Sequence, residues 1–222
     1  TLICLKNLLP KLKKNKEYLL NISFNLKENR LWAEKGFIVA SNQHQLTSLH
    51  KFIVKPKSSS GLLILNENNE EIVVRGRNFK IIIDKSIGAL TSFVYNNYEY
   101  VKKPLMPNFT RPLTDNDRRG WKPHIKLKEW YELRPVVKNI NTLKIKNNLI
   151  KIEVLYELIF EKANLYITYI ITGDGVIRVE YFLNILDQNL PCIPKVGMQC
   201  GINDNLQRVI FYGRGPHENY ID

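Results

Sequence analysis

Residues 149–185 read "LIKIEVLYELIFEKANLYITYIITGDGVIRVEYFLNI". Ile152, Val154, Tyr156, Leu158 and Phe160 alternate with Glu153 and Glu157. A period of two sends successive side chains to opposite faces of an extended chain, so this run predicts a strand buried on one face. "LYITYII" follows, then the turn "TGDG", then a run in which Ile177, Val179, Tyr181 and Leu183 interleave with Arg178, Glu180 and Asn184. Gly173-Asp174-Gly175 supplies residues that tolerate the positive φ of a tight hairpin. Asn147-Asn148 is expected to do the same two strands earlier, between "TLKIK" and "LIKIEVLYELIF". Long antiparallel strands joined by short turns predict an all-β fold.

The same period reaches the other end of the chain. In "LNISFNL", Leu20, Ile22, Phe24 and Leu26 face one way and Asn21, Ser23 and Asn25 the other, the pattern of a half-buried strand. Between the two regions lies "VKPKSSSG", residues 54–61, whose proline, serines and glycine read as a linker. The expected organisation is a β-sandwich part over 1–56, a linker over 57–61 and a larger β domain over 62–222. A complete immunoglobulin-like sandwich needs ~100 residues and seven strands, so the first part is expected to be incomplete or an annex of the second.

Composition narrows the class. With 44% apolar and 24% charged residues, the chain reads as a soluble globular protein. Its net charge of +12 comes from lysines scattered among Asn and Ile, with the densest run at Lys11–Lys16. No basic stripe interleaved with aromatics marks a nucleic-acid module, so no nucleic-acid partner is expected. No apolar run approaches the ~20 residues of a membrane span, so no membrane partner is expected either. The chain begins without Met and without a signal-peptide layout, so its start reads as a boundary made by cleavage or truncation. Cys4, Cys192 and Cys200 have no metal-binding spacing. Cys192 and Cys200 could lie on neighbouring strands, but buried free thiols are the expectation. Asn21-Ile-Ser and Asn108-Phe-Thr fit the glycosylation sequon, a frequent coincidence in an Asn-rich chain.

One region breaks the strand rhythm. Residues 104–135 carry five prolines, two tryptophans and several ionisable groups without sustained alternation. So long an irregular segment is functional or disordered, and its aromatics argue for order. Within it, Asp115 and Asp117, flanking Asn116, could serve as an acid/base pair or as oxygen ligands for calcium. The alternative is that these side chains bond local backbone and shape a turn, with Arg111, Arg118 and Arg119 keeping the carboxylates charged. Trp121, Trp130 and Tyr131 could stack on a sugar ring or pack into the core. At the far end, "FYGRGPHENYID" (211–222) brings His217 and Glu218 together. Adjacent residues on extended chain point apart, and Pro216 favours a corner. No nucleophile elbow and no phosphate-binding glycine loop is present.

These stretches resemble one family. "NFTRPLTDNDRRGW" is similar to the "FWRAPTDND-G" signature in the C-terminal β domain of glycoside hydrolase family 2 β-galactosidases. "IPKVGMQCGINDNLQRVIFYGRGPHENYID" resembles the same domain's "PRVG…(W/Y)YGRGPHENYxDR" stretch. "LWAEKGFIVASNQHQL" (31–46) resembles the end of the preceding sandwich, and "VRGRNFKIIIDKSIGALTSFVYNNYEYVKKPLMPNF" resembles the opening of the C-terminal domain. Two positions depart from the signature: Thr110 stands where Trp is common before Arg111, and Leu113 replaces the small residue before Thr114.

The resemblance implies an incomplete immunoglobulin-like sandwich followed by the first portion of an antiparallel super-sandwich of the galactose mutarotase type. It implies a parent that is a retaining glycosidase acting on terminal β-D-galactosyl residues. Two carboxyl groups ~5 Å apart would do the chemistry. In the family they lie in a separate (β/α)8 barrel, so no catalytic residue and no cofactor is expected here, and magnesium and sodium ions would sit in other domains. The expected partners are that barrel, the remaining C-terminal segment, a β-galactoside, and further copies in a homo-oligomer. Arg111, Asp115, Asn116, Asp117, Gly120 and Trp121 are expected beside the sugar pocket, with Gly120 as a pivot. Gly213, Arg214, Gly215, Pro216, His217, Glu218, Asn219 and Tyr220 are expected to form a structural corner. The competing reading is a stand-alone carbohydrate-binding or mutarotase-like module using His217 and Glu218.

Overall fold

The computed structural model describes residues 9–13, 16–47, 61–211 and 213. The chain divides into two compact units, Thr1–Lys55 and Pro56–Asp222. In the first, β1 (Leu19–Asn25) pairs antiparallel with β2 (Ile38–Gln45). The strand expected at "LNISFNL" forms, but its apolar side is not buried: Ile22 and Phe24 are exposed. Among the described residues no layer covers a face of this pair, so alternation alone does not deliver burial. The connection is ordered by an edge-on contact of Trp32 and Phe37 and by Gly36 at φ 91°, which only glycine adopts readily.

The second unit is antiparallel throughout. β3 (Ile64–Glu67), β4 (Glu71–Arg75), β5 (Phe79–Asp84), β6 (Ala89–Tyr95) and β7 (Tyr98–Glu99) form one sheet in that order. After β8 (Val101–Asn108) come two short helices, α1 (Pro123–Lys126) and α2 (Lys128–Tyr131). Then β9 (Val136–Lys146), β10 (Leu149–Ile159), β11 (Ala163–Thr172) and β12 (Ile177–Ile185) build a second sheet in the order β12-β11-β10-β9. β13 (Gly197–Ile202) pairs with β8.

The two main sheets share one core. Ile72, Val74, Ile81 and Ile83 from the first belong to the same buried cluster as Ile152, Val154, Tyr156, Leu165, Ile167 and Tyr169 from the second. This is the sandwich arrangement that period-two patterning demands, each side chain stabilising the fold by about 1.5–3 kcal/mol through burial. The polar end of Tyr156 is met inside the core: its hydroxyl donates to the Ile87 carbonyl at 2.9 Å. Phe160 departs from the expected pattern. β10 ends at Ile159, Glu161 turns the chain at φ 53°, and Phe160 is exposed on that turn.

The turns also correct the sequence reading. The two asparagines with positive φ are Asn96 (49°) and Asn97 (62°), between β6 and β7, not Asn147 and Asn148. Gly175 does adopt positive φ, at 86°, but Gly173 does not. Gly173 is needed for a different reason. A Cβ built on it would stand 2.0 Å from the Gly61 carbonyl oxygen. Its N–H donates to Asn148 O at 3.0 Å, and Leu63 N–H donates to Asn147 O at 2.7 Å. The start of β3 and the tips of two of the second sheet's three hairpins, β9–β10 and β11–β12, therefore meet backbone to backbone.

Candidate functional site

The segment that interrupts the strands is held at both ends. Residues 104–108, expected to be irregular, belong to β8; its prolines fit because, among the described residues, β8 is paired on one side only, by β13. Asn108 then turns the chain: its Oδ1 accepts the Thr110 N–H at 2.9 Å, and its Nδ2 donates to Gln199 on β13. Phe109 drops into the core, its ring 5.5 Å from that of Trp130 and 6.3 Å from that of Tyr181.

Arg111 next reaches Asp117. Nη1 donates to Oδ2 at 2.6 Å and Nη2 to Oδ1 at 3.0 Å, a two-pronged grip on one carboxylate. Thr114 and Asp117 bond reciprocally. The Asp117 N–H donates to Thr114 Oγ1 at 3.2 Å, while Asp117 Oδ2 accepts the Thr114 N–H at 2.9 Å and its hydroxyl at 3.0 Å. This is the logic of a capping box, with Asp in place of Glu, and it starts a helical turn. The turn is of the wide π type over Asp117–Trp121 and closes with Lys122 N–H on Asp117 O at 2.7 Å. Lys122 then takes left-handed backbone (φ 55°), and Pro123 opens α1.

Electrostatics follow from these contacts. Arg111, and then the Thr114 N–H, hold the Asp117 carboxyl at a pKa of about 2, below its ordinary 3.8. It is a permanently ionised structural acceptor, unsuited to carrying a proton near neutral pH. Asp115 and Asn116 point to solvent, so the two carboxylates of "DND" do not converge. Of the readings open at the sequence level, Asp117 takes the turn-shaping one. Among the described residues, no three His, Cys, Asp or Glu side chains are grouped to hold a metal.

The aromatics separate. Trp130 is buried and its Nε1–H donates to the Pro191 carbonyl at 2.8 Å, so it is a core residue. Tyr131 packs against the same core. Trp121 remains 46% exposed, available to a partner or ligand. Pro123, Leu127 and Trp130 are buried, while Arg118, Arg119, Trp121, Lys122 and Ile125 are exposed. Gly120 has negative φ and open space around a notional Cβ, so this conformation makes no use of its being glycine. Sequence reasoning passed over Thr114, although T-x-x-D at a helix start was a readable signal. Cys192 and Cys200 are free and exposed, against the expectation of burial. Of the corner at the far end only Gly213 is described. Arg214, Gly215, Pro216, His217, Glu218, Asn219 and Tyr220 lie outside the described residues, as do Cys4 and most of the 57–61 linker.

Comparison with known proteins gives this geometry its context. Residues 75–222 match the family described as beta galactosidase small chain. The chain belongs to that family. Residues 2–47 match a second description, beta-galactosidase domain 4, so the two matches fall on the two structural units. A β-galactosidase of Priestia megaterium is 33% identical over 208 residues, covering 93% of this chain and 20% of that protein. Those of Halalkalibacterium halodurans (28%, covering 93% and 20%) and Clostridium acetobutylicum (29%, covering 93% and 23%) align over the same share of this family member. The chain thus spans about a fifth of the length of the curated relatives it matches.

Proposed function

We propose that this chain is an accessory, non-catalytic part of a β-galactosidase that cleaves terminal β-D-galactosyl residues with retention. One observation carries the reading. Relatives named β-galactosidase align with 93% of this chain in order, across both structural units, while it accounts for 20% of their length. The two catalytic carboxyl groups are assigned to a barrel in the remaining four-fifths, and any magnesium and sodium ions to other domains as well. The chain's own contribution is a scaffold with a loop. The Arg111–Thr114–Asp117 knot fixes where the loop leaves the β-sheet, and Asp115, Asn116 and Trp121 are left outward to border the sugar pocket. The knot's ionised carboxylate is consumed in building the loop, so it orients neighbours and transfers no proton.

The purified 222-residue chain should show no turnover of a chromogenic β-galactoside. In an enzyme carrying this segment, Trp121→Ala should raise KM several-fold with little loss of fold stability. Active-site-specific turnover by the chain alone, or unchanged kinetics for both Trp121→Ala and Asp117→Asn in the whole enzyme, would overturn the reading.

A further inference from the structure

Alternate residues of β10, β11 and β12 turn away from the core and form the outer face of the second sheet. That face is polar, and its charges are paired with one another: Lys138 with Glu157 at 3.0 Å, Lys151 with Glu153 at 2.5 Å, and Arg178 with Glu180. Further strands of a larger sandwich would join beside β9 or β12 and share the inner core. The period of two leaves the outer face to water.

One row breaks the polar pattern. Tyr166 on β11 and Phe182 on β12 stand directly opposite each other, 41% and 62% exposed. Their rings lie 6.0 Å apart and are tilted by 44°. Leu155 on β10, half-buried, continues the row opposite Tyr166. Polar pairs bracket it along the strands. Asn164 stands opposite Asn184 on one side, and Thr168 opposite Glu180 on the other. Glu180 is held by Arg178. Among the described residues, the side chains of Asn164, Asn184 and Thr168 have no hydrogen-bond partner.

We propose that this row binds a neutral hexopyranose oligosaccharide, at a site that uses no residue of the 104–135 segment. Three features select the ligand. A pyranose presents a flat face of C–H bonds, which lies against an aromatic ring, and a rim of hydroxyls that both donate and accept. Unbonded amides beside exposed rings answer both, since an amide also donates and accepts. The ion pairs around the row cancel, so it offers no field to a phosphate or an anionic lipid. The row is one residue wide between polar pairs, whereas a protein docking surface needs a contiguous apolar centre. The sugar chain crosses the strands along the row. One ring stacks on Phe182 with Asn184 at its rim, and the next lies against Tyr166 with Asn164 at its rim.

NMR titration of the 222-residue chain with β-1,4-galactotetraose, and separately with maltotetraose, tests this. Saturable shifts of the Tyr166 and Phe182 ring protons are expected with at least one of the two. Phe182→Ala should weaken that binding about five- to tenfold. Asn184→Ala removes an amide that bonds nothing in the protein, so the sheet should be untouched while binding weakens about two- to fivefold. Circular dichroism checks each fold, and Asn184→Ala decides if Phe182→Ala does not fold. The Trp121 indole reports on the loop independently. Shifts confined to that indole would overturn this site and leave the loop's role beside a sugar pocket standing. Binding of neither sugar, or binding unaltered in folded Phe182→Ala and Asn184→Ala, would show that Tyr166 and Phe182 only brace the sheet and also overturns the proposal.

Discussion

Asp117 shows how one carboxylate can be committed by its neighbours. Its pKa lies at about 2 against an ordinary 3.8 because the charged form alone satisfies Arg111 and Thr114. A depressed carboxyl pKa contributes stability that is complete above the unfolded value and fades as pH falls through the folded one. The Arg111–Asp117 contribution is therefore full above about pH 4 and is lost between pH 4 and pH 2. A carbon-detected NMR titration of the Asp117 carboxyl should give a midpoint well below 3.8; an ordinary midpoint would remove the grip. Two glycines make a matched test of packing. Gly173→Ala forces a methyl into the Gly61 carbonyl at 2.0 Å and should cost about 1–3 kcal/mol in denaturant unfolding. Gly120→Ala meets nothing within 4 Å and should change stability by less than about 0.5 kcal/mol.

At the scale of elements, α2 and the loop before β13 depend on a contact between residues far apart in sequence. Trp130 donates to Pro191, 61 residues away, from a fully packed position. Trp130→Phe keeps most of the ring but leaves that carbonyl without its donor, so a loss of about 1–3 kcal/mol is expected in equilibrium unfolding. A variant as stable as the wild type would show that solvent takes over the bond. No reading of the sequence could pair Trp130 with Pro191, since neither residue's chemistry specifies the other. Local signals were legible: β10, β11 and β12 form where the period of two placed them, with the inner residues of β10 and β11 buried and those of β12 half-buried. Phe160 misled because a turn, formed by Glu161 in left-handed backbone, begins one residue before the alternation stops. Asn96-Asn97 and Asn147-Asn148 are the same dipeptide, and only their tertiary surroundings decide which one takes positive φ. In the candidate site, "DND" was legible as a turn-former. That Asp117 would be buried and Asp115 exposed depended on the reach of Arg111.

The molecule as a whole is unevenly built. One unit has two sheets around a shared core, while the described strands of the other expose their apolar residues. Protection from hydrogen exchange should follow. Amides of β10 and β11, such as Ile152 and Ile167, should exchange at least roughly a hundredfold more slowly than those of β1 and β2. Equal protection in both units, measured by mass spectrometry on the purified chain, would show that β1 and β2 find a covering layer. The junction of Gly61 with Gly173 has a consequence for anyone rebuilding this protein. Hairpin tips ordinarily accept inserted sequence because nothing touches them. Here the tips at 147–148 and 173–175 are walls of a closed joint, whereas the tip at Asn96-Asn97 is exposed and is held only through Asn96, whose N–H donates to Asn78 O at 2.9 Å and whose Oδ1 accepts from Asn78 Nδ2 at 3.0 Å. A tag, a binding loop or new chain ends belong after Asn97, beyond the Asn78–Asn96 bonds, and the two tips that look equivalent on a topology diagram are closed to them.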